Sequence, residues 1–115
     1  MRRGDIHAVD LGPVRGSEAN KRRPAVVVSN DAANATASRL GRGVITVVPV
    51  TSNVKRVYPF QVRLTAASTG LDRDSKAQAE QVRSIAVEQL GPRLGVVPRP
   101  LMDDIDEALR LHLAL

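Results

Sequence analysis

The chain divides into short apolar runs separated by polar stretches rich in Gly, Asn, Asp and Pro. Residues 3–10 alternate, with Ile6 and Ala8 on one face and His7 and Val9 on the other, as in a half-buried strand. Residues 11–22 follow as one long polar loop, and a loop of that length inside a compact domain is often functional. Residues 24–29 form a β-branched run that predicts a buried strand. Residues 30–35 read as a capped helical turn, with Asn30 or Asp31 as the cap. After a Gly41-Arg42-Gly43 loop, residues 44–50 are the most apolar strand, and Pro49 suggests that this strand leaves its ladder there. Residues 58–64 predict a further strand, residues 69–74 a turn, and residues 75–85 another strand. A short turn at 87–91 leads to a brief strand at 94–97. Residues 101–115 give the clearest helix: Leu101, Ile105, Ala108, Leu109 and His112 recur at helical spacing, and acids crowd its first half. On that stripe His112 is expected as a packed core or interface residue.

Five or six strands and a terminal helix predict a small β-rich domain, for which a twisted, barrel-like sheet is the natural closure. At 115 residues the chain is expected to be a single domain, residues 1–115. A core this small leaves apolar surface that dimerisation often covers. No apolar run approaches the roughly 18 residues that span a bilayer, and the charged start is not followed by the apolar stretch of a secretory leader. With no cysteine there is neither a disulfide framework nor a thiolate metal site. A cytoplasmic protein without membrane association is therefore expected.

Charge changes the picture. Residues 1–57 carry ten Lys/Arg against four Asp/Glu, and residues 58–115 carry seven against eight, so the net +5 lies in the first half. Of the 17 basic residues 14 are arginine, whose planar guanidinium suits phosphate. Such asymmetry is compatible with nucleic acid, although a GC-rich coding bias also writes Arg for Lys. With Tyr58 and Phe60 the only aromatics, a broad stacking platform is not expected to dominate any such binding.

The available chemistry is narrow. His7 and His112 are far apart and lack neighbouring ligands at usable spacing, and Asp72 and Asp74 read as solvated turn acids, so neither metal nor cofactor is expected. There is no nucleophile elbow, P-loop or dinucleotide fingerprint. One cleavage reaction fits these limits: RNA cut by its own 2′-hydroxyl, where the nucleophile is already in the substrate. Such an enzyme needs only a proton acceptor, a proton donor and positive charge for the phosphorane.

Several motifs now fall in order. Arg3-Gly4-Asp5-Ile6, Val9-Asp10-Leu11, Gly16-Ser17-Glu18 and the run Arg23-Pro24-Ala25-Val26-Val27-Val28-Ser29-Asn30-Asp31 resemble the N-terminal signature of the MazF/PemK toxins. Pro49-Val50-Thr51-Ser52, Asp74-Ser75, Glu80-Gln81-Val82-Arg83 and the segment from Met102 to Leu109 resemble that family's later motifs, so the likeness runs from Arg3 to about Leu113.

The resemblance implies an SH3-like twisted β-barrel of the MazF/CcdB kind with a C-terminal α-helix. It implies a sequence-specific, metal-independent endoribonuclease toxin, a messenger-RNA interferase, acting as a homodimer on single-stranded RNA. Its products would be a 2′,3′-cyclic phosphate and a 5′-hydroxyl, and a MazE-like antitoxin would neutralise it. The family's catalytic arginine and threonine carry over to Arg23 and Thr51. Arg23 would stabilise the phosphorane and donate to the leaving oxygen, since a guanidinium is a poor base; Thr51 would orient the 2′-hydroxyl or donate to phosphate. Glu80 is a possible auxiliary acid/base, or else a strand residue paired with Arg83 or Arg63. RNA-binding roles are implied for Ser17, Glu18, Lys21, Arg22, Ser52, Asn53, Gln81 and Arg83. Read structurally, Arg23 would adjoin a surface carboxylate and Thr51 would only close a turn. His7 stands where relatives often carry a large aromatic. The rival reading is a CcdB-like, gyrase-binding toxin without nuclease activity, because fold alone does not decide function; a relative that binds RNA without cutting it is a third.

Overall fold

The computed structural model describes residues 1–12 and 22–115. Ser17, Glu18 and Lys21 lie outside the described residues. Seven strands, β1 (Asp5–Asp10), β2 (Arg22–Val27), β3 (Val44–Thr51), β4 (Gln61–Leu64), β5 (Ser75–Gln78), β6 (Arg83–Ala86) and β7 (Leu90–Val96), alternate with helices α1 (Asp31–Leu40), α2 (Ala66–Thr69) and α3 (Arg99–Leu113). All strand pairings are antiparallel, in the order β4-β5-β3-β2-β1-β7, with β6 also beside β3.

The expected barrel does not close. β4 and β7 end the strand path without pairing to each other, so the result is a twisted open sheet. Helix α3 supplies the closure instead. Its Met102, Ile105 and Ala108 are buried against Ile6, Val26, Val48, Val50, Val62, Leu64 and Ala77 on one sheet face. With that face filled by a helix, no β4–β7 ladder is needed to keep it from water. His112, expected on the packed stripe, is exposed near the end of α3: the stripe runs past the edge of the sheet it packs on.

Helix α1 is longer than the expected turn at 30–35. Asn30 caps it by accepting from the Ala33 N–H at 2.8 Å, and Gly41 ends it in the left-handed region at φ 67°. The wholly buried Asn34 donates to the Ser29 carbonyl at 2.9 Å, fastening the helix to the end of β2. Ala37 then carries the helix onto a second apolar cluster with Val9, Ala25, Val27, Ile45 and Val47 on the other sheet face.

The predicted strand at 75–85 is divided, and Pro49 is the reason. β5 and β6 lie along the same edge of β3, with Val50 opposite Ala77 and Val47 opposite Arg83. Three residue steps on β3 therefore face six on its partner. The surplus forms a 3₁₀ turn, Ala79–Gln81. The Thr46 carbonyl accepts from Val28 on the β2 side, so strand alternation turns Pro49 towards the β5/β6 edge. There it has no N–H to give the ladder. The partner strand bulges out opposite it, and the bulge carries Glu80 and Gln81.

Candidate active site

The β2–β3 register sets Ala25 opposite Pro49. Continued for two residues, that register brings Arg23 opposite Thr51, on one sheet face. Both line an open groove of about 650 Å³, together with Leu11, Gly12, Pro24, Pro49, Val50, Ser52, Gln81 and Arg83. Strand exits converge here: β2 begins, β3 ends, and the bulge opposite Pro49 delivers Gln81.

Arg23 is half-buried. Its Nη2 donates to Gln78 Oε1 at 2.9 Å and more weakly to the Val50 carbonyl at 3.4 Å. No carboxylate among the described residues forms an ion pair with it, so the surface-carboxylate reading finds no support among them. An amide oxygen orients a guanidinium without neutralising it, leaving its charge for a phosphate. Thr51 is half-buried, and its Oγ1 accepts from the Asn53 N–H at 3.3 Å. That is the turn bond of the structural reading, yet the hydroxyl hydrogen is left to donate elsewhere.

Of the remaining candidates, Ser52, Gln81 and Arg83 line the groove and are exposed. Arg22 opens β2, exposed and opposite Asp10. Asn53 is exposed but spends its Oδ1 on the Lys55 N–H at 3.3 Å, shaping the loop after β3. Glu80 is not among the groove-lining residues. It sits in the 3₁₀ turn, not in a strand, and its Oε2 accepts from Gln61 Nε2 at 2.6 Å, whereas Arg63 pairs with Asp74. His7 is buried, with Nδ1 2.8 Å from the Gly91 carbonyl, in a β1–β7 ladder that shifts register on both sides of it. Far from the groove, the Arg3 backbone N–H, at 2.7 Å, and the Asn34 side chain hold the Asp31 carboxyl below its ordinary value. Among the described residues no group of three or more His, Asp or Glu could hold a metal ion.

Sequence reasoning missed Gln78. Its polar side chain alternates with the buried Ala77 and Ala79, a pattern that marks an exposed or functional face. That this face points at Arg23 depends on strand pairing, which the pattern does not encode.

A twisted antiparallel sheet with a terminal helix thus carries a groove of arginine, hydroxyl and amide groups, chemistry that suits phosphate. The chain's family is plain from comparison. Residues 2–113 match the model of the PemK-like, MazF-like toxins of type II toxin–antitoxin systems, and the chain belongs to that family. It is 68% identical over 115 residues to endoribonuclease MazF9 of Mycobacterium tuberculosis, covering all of this chain and 98% of that protein. To endoribonuclease EndoA of Bacillus subtilis it is 35% identical over 116 residues, covering all of this chain and 96% of the relative. Among solved structures it is similar to a mycobacterial endoribonuclease in complex with its cognate antitoxin, with TM-score 0.77, 25% identity, and coverage of 100% of this chain and 96% of that one. A MazE–MazF structure from Deinococcus radiodurans gives TM-score 0.75 at 27% identity, with the same coverage of both chains.

Proposed function

We propose that the groove at Arg23 and Thr51 is where this chain cuts single-stranded RNA at short sequence motifs. The chain is an endoribonuclease toxin of the MazF type, a reading carried by its family and its full-length relatives; the gyrase-binding alternative is not favoured. The observation behind the location is that Arg23 and Thr51, 28 positions apart, line one groove with a shared strand register behind them.

In this groove the substrate's 2′-oxygen attacks the adjacent phosphorus and gives up its proton. The 5′-oxygen leaves with a proton, so a 2′,3′-cyclic phosphate and a 5′-hydroxyl result. Arg23 stabilises the phosphorane oxygens, which gain charge only in the transition state. Thr51 orients the attacking hydroxyl or donates to a phosphate oxygen. Gln81, Arg83 and Ser52 frame the flanking nucleotides, and the net +5 charge draws in the polyanion. The reaction needs no metal, because the nucleophile is already held by the substrate.

The working unit is a homodimer in the cytoplasm. The exposed Leu111, Leu113 and Leu115 after the packed part of α3 give it an apolar surface to bury. A MazE-like antitoxin, its acidic tail lying across the basic groove, is the inhibitor that this charge fits.

The test is a gel assay on long single-stranded RNA in EDTA. Wild type should yield discrete fragments with 5′-hydroxyl ends. Arg23→Ala should lose about 10²–10³-fold in rate, as when one preorganised oxyanion donor is removed, and Thr51→Ala should fail likewise. Intact RNA at micromolar protein over several substrates, or full activity in both variants, would refute the assignment.

A further inference from the structure

Glu80 has a family motif around it and a carboxylate, yet it is not among the residues that line the groove. Its Oε2 accepts from Gln61 Nε2 at 2.6 Å, and its Oε1 is buried without a hydrogen-bond partner. An acid that is to exchange protons with substrate must reach it directly or through a single water. Glu80 instead holds a neighbouring amide.

That amide is itself placed with care. Gln61, 8% exposed, opens β4 and lies directly opposite Gln78 in the β4–β5 ladder. Gln78 aims Arg23, while Gln61 holds the loop on the other side. Gln61 Oε1 accepts from the Tyr58 N–H at 3.1 Å, and the Gln61 N–H donates to the Tyr58 carbonyl at 2.8 Å. A glutamine amide can turn over and offer either end to either partner. With Glu80 taking the Nε2 end, the Oε1 end is committed to Tyr58. The loop pinned in this way starts at Ser52 and Asn53, immediately after Thr51, and Glu80 immediately precedes Gln81. The contact therefore ties two groove walls together: the loop after β3 and the bulge opposite Pro49.

We propose that Glu80 is a positioning residue, and that the Glu80–Gln61–Tyr58 relay fixes the loop after β3 against the Gln81 wall. This rests on the groove being the cleavage site. Glu80 then acts through Gln61 on how RNA is seated, and takes no part in moving the proton. The relay requires an acceptor at position 80 and not an acid, which separates it from general acid/base catalysis.

The experiment compares Glu80→Gln, Glu80→Ala, Gln61→Leu and the Glu80→Ala/Gln61→Leu double variant on one RNA oligonucleotide cut at a mapped site, with urea midpoints to confirm folding. Glu80→Gln retains a carbonyl acceptor, so kcat/KM should fall by no more than about fivefold, with the wild-type pH profile. Glu80→Ala and Gln61→Leu should each lose roughly tenfold or more, the scale of one charge-assisted hydrogen bond, chiefly through KM. The double variant should be no worse than the poorer single. Amide exchange at Tyr58 should speed up in Glu80→Ala. Where Gln61→Leu fails to fold, the Gln/Ala contrast at position 80 and the Tyr58 exchange rate still decide. The proposal is overturned if Glu80→Gln falls as far as Glu80→Ala with one limb of the pH profile gone, if the single losses multiply, or if Tyr58 exchange is unchanged. Arg23→Ala on the same oligonucleotide keeps the two readings apart: its continued cleavage would move the site away from the groove whatever Glu80 does.

Discussion

One face of the sheet is apolar across its width, whereas the other changes character halfway along. On the first, Ile6, Val26, Val48, Val50, Ala77, Val62 and Leu64 lie under α3. On the second, Val9, Ala25, Val27 and Val47 pack beneath α1. Further along that face stand Arg23, Thr51 and Gln78, each only half-buried. Strand periodicity makes the two faces equal candidates for burial; the length of the covering helix separates them. The 15 residues of α3 span its sheet face, while the 10 of α1 stop short. Where cover ends, polar groups can meet a substrate, and they gain preorganisation from the packed strands behind them.

Three changes probe this contrast, beyond the loss of catalysis expected at Arg23. The largest effect on stability belongs to the covered face: Ile105→Ala, at a fully buried site, should cost about 2–5 kcal/mol in urea unfolding. The folded fraction should still cut RNA at the normal rate. A parallel loss of specific activity would show the two faces to be coupled. Next comes Gln78→Leu on the open face. It removes the 2.9 Å bond to Arg23 with little change in volume, so kcat should fall roughly tenfold at nearly constant stability. An unchanged kcat would mean that the Val50 carbonyl suffices to aim Arg23.

The smallest effect lies at the start of α1. The Asp31 carboxyl is held down first by the Arg3 backbone N–H and then by Asn34. A carboxyl whose folded value is depressed stabilises fully above its unfolded value and loses that contribution as pH falls through the folded one. Wild type should therefore lose stability below about pH 4 slightly more steeply than Asp31→Asn, by urea midpoints taken from pH 6 to pH 2.5. The groove's activity at neutral pH should not follow.

Much of the architecture was legible because it is local. Alternation located the apolar strands, Asn30 and Gly41 bracket a helix, and the spacing of Ile105 and Ala108 marks the buried face of α3. Pro49 was expected to take β3 out of its ladder, yet β3 stays paired through Thr51 and the partner strand breaks instead. Ala77 and Ala79 continue the strand pattern straight into the turn, because the bulge answers a missing donor on β3 and not anything in its own residues. The site was legible in a similar proportion. Motif order nominated Arg23, Thr51, Ser52, Gln81 and Arg83, and the groove collects all five. Glu80 looked like a proton carrier because its type and its neighbours in the chain suggested one, while Gln78 and Gln61 carried no motif at all.

By itself, then, the sequence determined most of the strands and the terminal helix, where the charge lies, and which side chains are candidates for RNA chemistry. These depend on residue type and on neighbours a few positions away. Only the tertiary structure decided that the sheet stays open under α3, that Arg23 is aimed by Gln78, and that Glu80 turns to Gln61. Each of those depends on strand register, set by pairings between residues distant in the chain, such as Ala25 with Pro49 and Gln61 with Gln78, which no local pattern records.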